Sequence, residues 1–160
     1  MNILNPFKIN SIILPNRITV ASMCQYSAKN GNPSYWHYGH LQQLANSGAG
    51  MLMFESTAIN LNGRITLKDL ALTNTKNEIS FRQIINYLKT ISKIPLGLQI
   101  SHSGRKGSAQ VPWIKSNYPL KKKQNSWTTY APSSIKRDLH WPTPKTLTIF
   151  QIKEIVSDFK

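Results

Sequence analysis

Apolar residues gather along this chain in two alternating rhythms. Ile18 to Val20, Met51 to Thr57 (MLMFEST) and Leu96 to His102 (LGLQISH) are short apolar runs that end in polar side chains, the pattern of buried parallel strands. Between them the spacing is helical. Trp36, Leu41, Leu44 and Ala45 share a side behind a Ser34 N-cap, with Gly48 as the stop. Phe81, Ile84, Ile85, Leu88 and Ile91 follow Thr75 and Glu78, which have capping-box spacing, and Pro95 closes the connection. Alternating strand and helix predicts an α/β fold with a parallel sheet of about three βα units.

The flanks add smaller elements. Residues 4 to 15 predict a hairpin, with Phe7 and Ile9 on one arm, Asn10 and Ser11 at the turn, and Ile12 to Leu14 on the other. The first sheet strand is expected over Arg17 to Ala21. Asn62 and Gly63 form the strongest short turn signal of the chain. Residues 104 to 145 are irregular and rich in proline, and Trp113, Trp127 and Trp141 argue for packing there rather than disorder. Thr148 and Gln151 open a last helix, with Leu147 placed to staple onto Ile152 and an apolar stripe of Ile152, Ile155, Val156 and Phe159.

Charge widens the field of readings. Twenty Lys and Arg against six acidic residues give a net +14, which suits a polyanionic partner such as nucleic acid, or equally a set of solvated lysine-rich faces. The nucleic-acid reading would use Lys115, Lys121 to Lys123, Lys136 and Arg137. No repeat or recognisable module supports it, so it is the rival reading only. The single cysteine needs no oxidising compartment, the N-terminus lacks an apolar signal region, and no run approaches the length of a membrane span, so a cytoplasmic location is expected.

Candidate chemistry collects where the strands stop. If the sheet closes into a barrel, the C-terminal strand ends share one mouth, and Cys24, Tyr26, Glu55, Ser56, Gln99 and His102 would meet there. Glu55 reads as a buried structural acid held by neighbouring donors. His37 and His40 lie three apart on one helical face but lack a third ligand, so they are expected to be structural, with no metal site.

Several motifs in order, LNPFKIN with LPNRI, MCQYSAKNG, WHYGHL, GAGMLMFEST, NGRIT, LGLQISHSGRKG and APSSI to LTIFQI, resemble the N-terminal part of the old yellow enzyme family of FMN-dependent NAD(P)H oxidoreductases. The likeness is to its bacterial branch with a cysteine after the first strand. It implies a (β/α)8 TIM barrel, FMN at its mouth, NADPH or NADH as reductant, and an electron-poor alkene as small-molecule substrate. By resemblance, Ala21, Ser22, Met23, Cys24, Ser56 and Gln99 bind the cofactor. Cys24 and Tyr26 are the catalytic pair, the thiol tuning the flavin and the phenol donating to a substrate carbonyl.

A complete barrel takes about 250 residues. The 160 present are therefore expected to form an incomplete N-terminal portion, a partial barrel of hairpin and about three βα units, inactive by itself. A complementing chain or a homo-oligomer is the expected partner if the sheet edges are to be covered.

Overall fold

The computed structural model describes residues 2–160. Strands β1 (Phe7–Ile9) and β2 (Ile12–Leu14) form the predicted antiparallel hairpin, with Phe7 opposite Leu14 and Ile9 opposite Ile12. Asn10 makes the turn at φ +50°, a left-handed conformation that asparagine tolerates. The Arg17 guanidinium covers the Phe7 ring at 4.5 Å.

The main sheet is parallel. It comprises β3 (Thr19–Val20), β4 (Met51–Ala58), β5 (Leu70–Ala71) and β6 (Leu96–Ser101), with α1 (Tyr35–Ala45) between β3 and β4 and α2 (Thr75–Ile91) between β5 and β6. Central β4 pairs with β6 along one edge and with β3 then β5 along the other. Strand β3 is shorter than the Arg17 to Ala21 expected. Strand β5 has no counterpart in the sequence reading, because two residues are too few to show a periodicity.

Leu41 and Ala45 of α1, Leu52 and Phe54 of β4, Leu70 of β5, and Phe81, Ile84 and Leu88 of α2 form the core between sheet and helices. The Phe54 and Phe81 rings meet at 6.2 Å. Trp36, assigned to the apolar side of α1, is instead 56% exposed, its indole N–H donating to Gln25 Oε1 at 3.1 Å. A ring with a polar edge is satisfied at that rim.

Helix α2 starts one residue earlier in its capping logic than the sequence suggests. Asn74, not Thr75, is the N-cap, its Oδ1 accepting from Asn77 N–H at 3.0 Å, and Glu78 pairs with Arg82 at 2.6 Å rather than closing a capping box. Asn77 is buried and fully used. It accepts from Thr73 N–H and hydroxyl at 3.2 and 3.1 Å, and donates to Asn30 O and Asn32 Oδ1 at 3.2 and 2.6 Å, tying the loop before α1 to the start of α2.

The long irregular stretch is packed at Ala109, Val111, Ala131 and Trp141, while residues 134–140 are exposed. It contains a short helix α3 (Pro112–Lys115) and a parallel pair of two-residue strands, β7 (Tyr130–Ala131) and β8 (Lys145–Thr146). Trp141 is buried beneath the Arg137 guanidinium, whereas Trp113 is exposed. The last helix, α4 (Ile149–Asp158), has the capping box its sequence predicts, Gln151 N–H to Thr148 Oγ1 at 3.2 Å and Thr148 N–H to Gln151 Oε1 at 3.0 Å. Its stripe of Ile152, Val156 and Phe159 is exposed, and Asn60 donates to Asp158 at 2.8 Å.

Candidate active site at the strand ends

After Val20 the chain leaves the ladder and runs irregularly to Ala28. On β6, Leu96 and Leu98 pack on the core, so Gly97, Gln99 and Ser101 alternate onto the opposite face. Met51 and Met53 share that face: a Cβ at Gly97 would collide with Met53 and stand 2.7 Å from Met51 Cε. Above them the polar ends meet. Ser22 donates its hydroxyl to Gln99 Oε1 at 2.8 Å, and the Ser56 and Ser101 hydroxyls are hydrogen-bonded across β4 and β6. Gln99 is exposed, and its amide nitrogen has no protein partner among the described residues.

A β-bulge shapes the other side of β4. The register runs from Phe54 opposite Leu98 to Thr57 opposite Ile100, so three steps on β4 match two on β6. The extra residue lets sequence neighbours Phe54 and Glu55 both be buried. Phe54 joins the core. Glu55 meets His37 of α1, whose Nε2 donates to Glu55 Oε1 at 3.0 Å, while the Gln25 N–H donates to Glu55 Oε2 at 2.8 Å.

His37 also closes the start of α1. Ser34 is its N-cap, and the Ser34 N–H donates to His37 Nδ1 at 3.0 Å. Glu55 and His37 are thus the structural groups their sequence positions suggested. His40 stacks on Trp36 with centroids 6.2 Å apart, and burial lowers its pKa.

Cys24 and Tyr26 come together at this mouth. The Cys24 thiol lies beside the Ser56 backbone and the Tyr26 hydroxyl. Burial, reinforced by the Asp69 and Glu55 carboxylates, pushes the thiol up to about 11, so at neutral pH it is protonated. Burial, with Cys24 and Asp69, also raises Tyr26 above an ordinary phenol and keeps it a proton-bearing donor. Tyr26 has φ +48° and its ring meets Trp113 edge-on at 6.0 Å. It borders a cleft of about 570 Å³ whose wall includes Thr66, His102, Lys106 and Arg137.

The expected mouth residues are therefore partly gathered: Ser22 with Gln99, and Cys24 with Tyr26 and Ser56. Ala21 and Met23 lie on the same irregular segment, Met23 exposed and accepting at its carbonyl from Gln25 Nε2 at 2.9 Å. His102 sits at the end of β6, its Nδ1 accepting from Gly104 N–H at 3.1 Å, and burial lowers its pKa.

Asp69 is a neighbour the sequence reading missed. Its carboxylate accepts from Ile65 N–H at 2.6 Å and from Thr66 N–H and hydroxyl at 3.2 and 2.7 Å, yet burial still pushes its pKa up to about 6. The signal was the Thr66 to Asp69 spacing, a local side-chain turn.

Of the cations assigned to the rival nucleic-acid reading, Lys115 lies 3.7 Å over Tyr118 and Arg137 lies 4.6 Å over Trp141, both on rings of this chain. No helix of the described residues is long and apolar enough to cross a membrane.

The family model for NADH:flavin oxidoreductase / NADH oxidase matches residues 2–160. An NADH:flavin oxidoreductase of Gibberella zeae is 35% identical over 160 residues, which cover 98% of this chain and 38% of that protein. An NADPH dehydrogenase of Bacillus velezensis is 30% identical over 157 residues, covering 97% and 41%. Among solved structures, the old yellow enzyme from Trypanosoma cruzi superposes with TM-score 0.78 at 20% identity, over 98% of this chain and 45% of that one. The chain spans about two fifths of the length of the curated relatives it matches. A parallel sheet backed by helices, polar strand ends converging on one mouth, and a match across nearly every residue have one meaning: the chain belongs to the NADH:flavin oxidoreductase / NADH oxidase family and has part of the old yellow enzyme barrel.

Proposed function

We propose that residues 1–160 are the N-terminal portion of an FMN-binding TIM-barrel domain, and that they provide one wall of the flavin site in an ene-reductase-type NAD(P)H oxidoreductase. The observation that carries this reading is the convergence of Ser22, Cys24, Tyr26, Ser56 and Gln99 at the ends of β3, β4 and β6. The donor set fits a flavin. Gln99 offers an exposed amide held by Ser22, ready to pair with an edge carrying both donors and acceptors. The segment from Ala21 to Cys24 has left the ladder, and apart from the Met23 carbonyl, which accepts from Gln25 Nε2, its backbone groups are not engaged in strand pairing.

FMN, when bound, supplies hydride transfer from the nicotinamide to an electron-poor alkene. The chain's residues do the orienting. Tyr26 keeps its proton and donates a hydrogen bond to the oxygen of an α,β-unsaturated carbonyl substrate. Cys24, held as a thiol, presents a soft neutral contact beside the ring rather than a nucleophile. Ser22 engages the one oxygen of the Gln99 amide and so orients the group, leaving its nitrogen to the cofactor.

Titration with FMN tests the reading. A polypeptide of these 160 residues should perturb the flavin absorption bands weakly and saturably, lose that effect on Gln99→Ala, and leave NADPH unoxidised. A perturbation indifferent to Gln99→Ala overturns the assigned wall. Stoichiometric retained flavin with NADPH oxidation overturns the claim that this portion is inactive by itself.

A further inference from the structure

The bond pattern around Glu55 admits one arrangement of protons. Each carboxylate oxygen receives one donor, Gln25 N–H on Oε2 and His37 Nε2 on Oε1. His37 Nδ1 accepts from the Ser34 N–H at 3.0 Å, a backbone amide that cannot accept in return, and the Ser34 hydroxyl, 3.2 Å from the same nitrogen, then rotates to donate to it as well. The ring proton must therefore sit on Nε2, pointing at Glu55. Both groups are almost wholly buried, His37 1% and Glu55 5% exposed.

Gln25 lies between Cys24 and Tyr26. Its N–H is held by Glu55, its side-chain amide spans from Met23 O to the Trp36 indole, and its carbonyl receives the Ser27 hydroxyl at 2.9 Å. The next residue, Tyr26, is left-handed, a conformation that is strained for a non-glycine residue and persists only when neighbours enforce it.

We propose that Glu55 is a positioning residue: its carboxylate, locked by a single tautomer of His37, fixes the Gln25 amide and thereby the turn that sets Cys24 and Tyr26 side by side at the mouth. Its functional meaning rests on the flavin-wall reading above, but the geometry does not. The groups facing this cluster are His37 and His40 from α1, Asp69 from the segment before β5, and Cys24 and Tyr26 themselves. Removing the Glu55 charge both frees the turn and takes away one of the two carboxylates that disfavour the Cys24 thiolate.

Cys24 is the only cysteine, so it reports on its own position. Its alkylation by iodoacetamide, followed from pH 7 to 11 in flavin-free protein, is the test. Glu55→Gln offers one acceptor oxygen to two donors, and His37→Ala removes the lock; each should raise the rate at pH 8 about tenfold or more, the effect of at least one unit of thiol pKa. His37→Gln keeps an acceptor for Ser34 and a donor for Glu55, and should stay within about twofold of the parent, as below-pKa rates track the thiolate fraction. Folded Glu55→Gln and His37→Ala proteins with the parental rate and pH profile overturn the proposal, as does His37→Gln reacting as fast as His37→Ala. Should the disruptive variants fail to fold, ring nitrogen-15 spectra of the parent decide: a His37 ring protonated on Nε2 alone at pH 8 supports the lock, and any other tautomer overturns it. None of these readouts involves flavin, so they stand or fall separately from the FMN titration.

Discussion

Gly63 lies directly against the His102 ring: a Cβ on Gly63 would stand 2.9 Å from His102 Cδ2. The Asn62–Gly63 pair therefore serves a close approach, in a 3-10 turn over Leu61–Gly63 capped by Asn60, whose Oδ1 accepts from the Gly63 N–H at 2.8 Å. The turn that the dipeptide signals is this 3-10 turn. Gly63→Ala should destabilise the fold by about 1–3 kcal/mol through overpacking. His102→Ala in the same chain should recover part of that loss, as measured by urea unfolding; an additive double variant would show that the two residues do not compete for space.

The start of α2 gives a sharper comparison. Asn74→Ala removes the acceptor of the Asn77 N–H and should cost about 1 kcal/mol, whereas Thr75→Ala, one position inside the helix, should be close to neutral. Thermal unfolding of the two variants separates them. Equal losses would return the cap to Thr75.

Ser22 and Gln99 are 77 residues apart in sequence and joined by one exposed hydrogen bond. A double-mutant cycle of Ser22→Ala and Gln99→Ala should give a coupling of about 0.5–1 kcal/mol, the low end for such a bond in contact with water. Zero coupling would mean that Ser22 does not orient the amide.

Asp69 carries a pH signature. Its pKa rises from 3.8 to about 6 on folding, so the native state binds the extra proton and this contribution to stability is complete below pH 3.8. It is lost as pH rises through about 6. Relative to Asp69→Asn, the parent should gain stability on acidification from pH 7 to 4, on the order of 3 kcal/mol at most. Chemical denaturation at several pH values measures the difference; a parent that loses stability relative to Asp69→Asn as pH falls would refute the assignment.

Long elements were legible in the sequence because their periodicity is repeated many times. The β4 and β6 runs, the α2 face, the α1 face apart from Trp36, and the Thr148 cap appear where the pattern places them. What stayed hidden depends on contacts between distant residues. Strand β5 exists because Leu70 and Ala71 lie beside Thr57 and Ala58, and no local rule announces a two-residue strand. That Cys24 meets Tyr26, and Gln99 separately meets Ser22, followed only in part from strand ends sharing a mouth. That Cys24 is a high-pKa thiol did not, since it depends on burial and on two acids brought in from elsewhere. The start of α2 misled by one residue because Asn74 and Thr75 are both good caps, and only the Asn77 N–H chooses between them.

The bulge in β4 works as a change of parity. Before it the even-numbered side chains, Leu52 and Phe54, are buried; after it the odd-numbered Glu55 and Thr57 are. In an unbulged strand the alternation would put Ser56 rather than Glu55 on the face of Leu52 and Phe54, and Glu55 in the row of Ser22, Gln99 and Ser101. That row is uncharged because the strand counts one residue more than its neighbour.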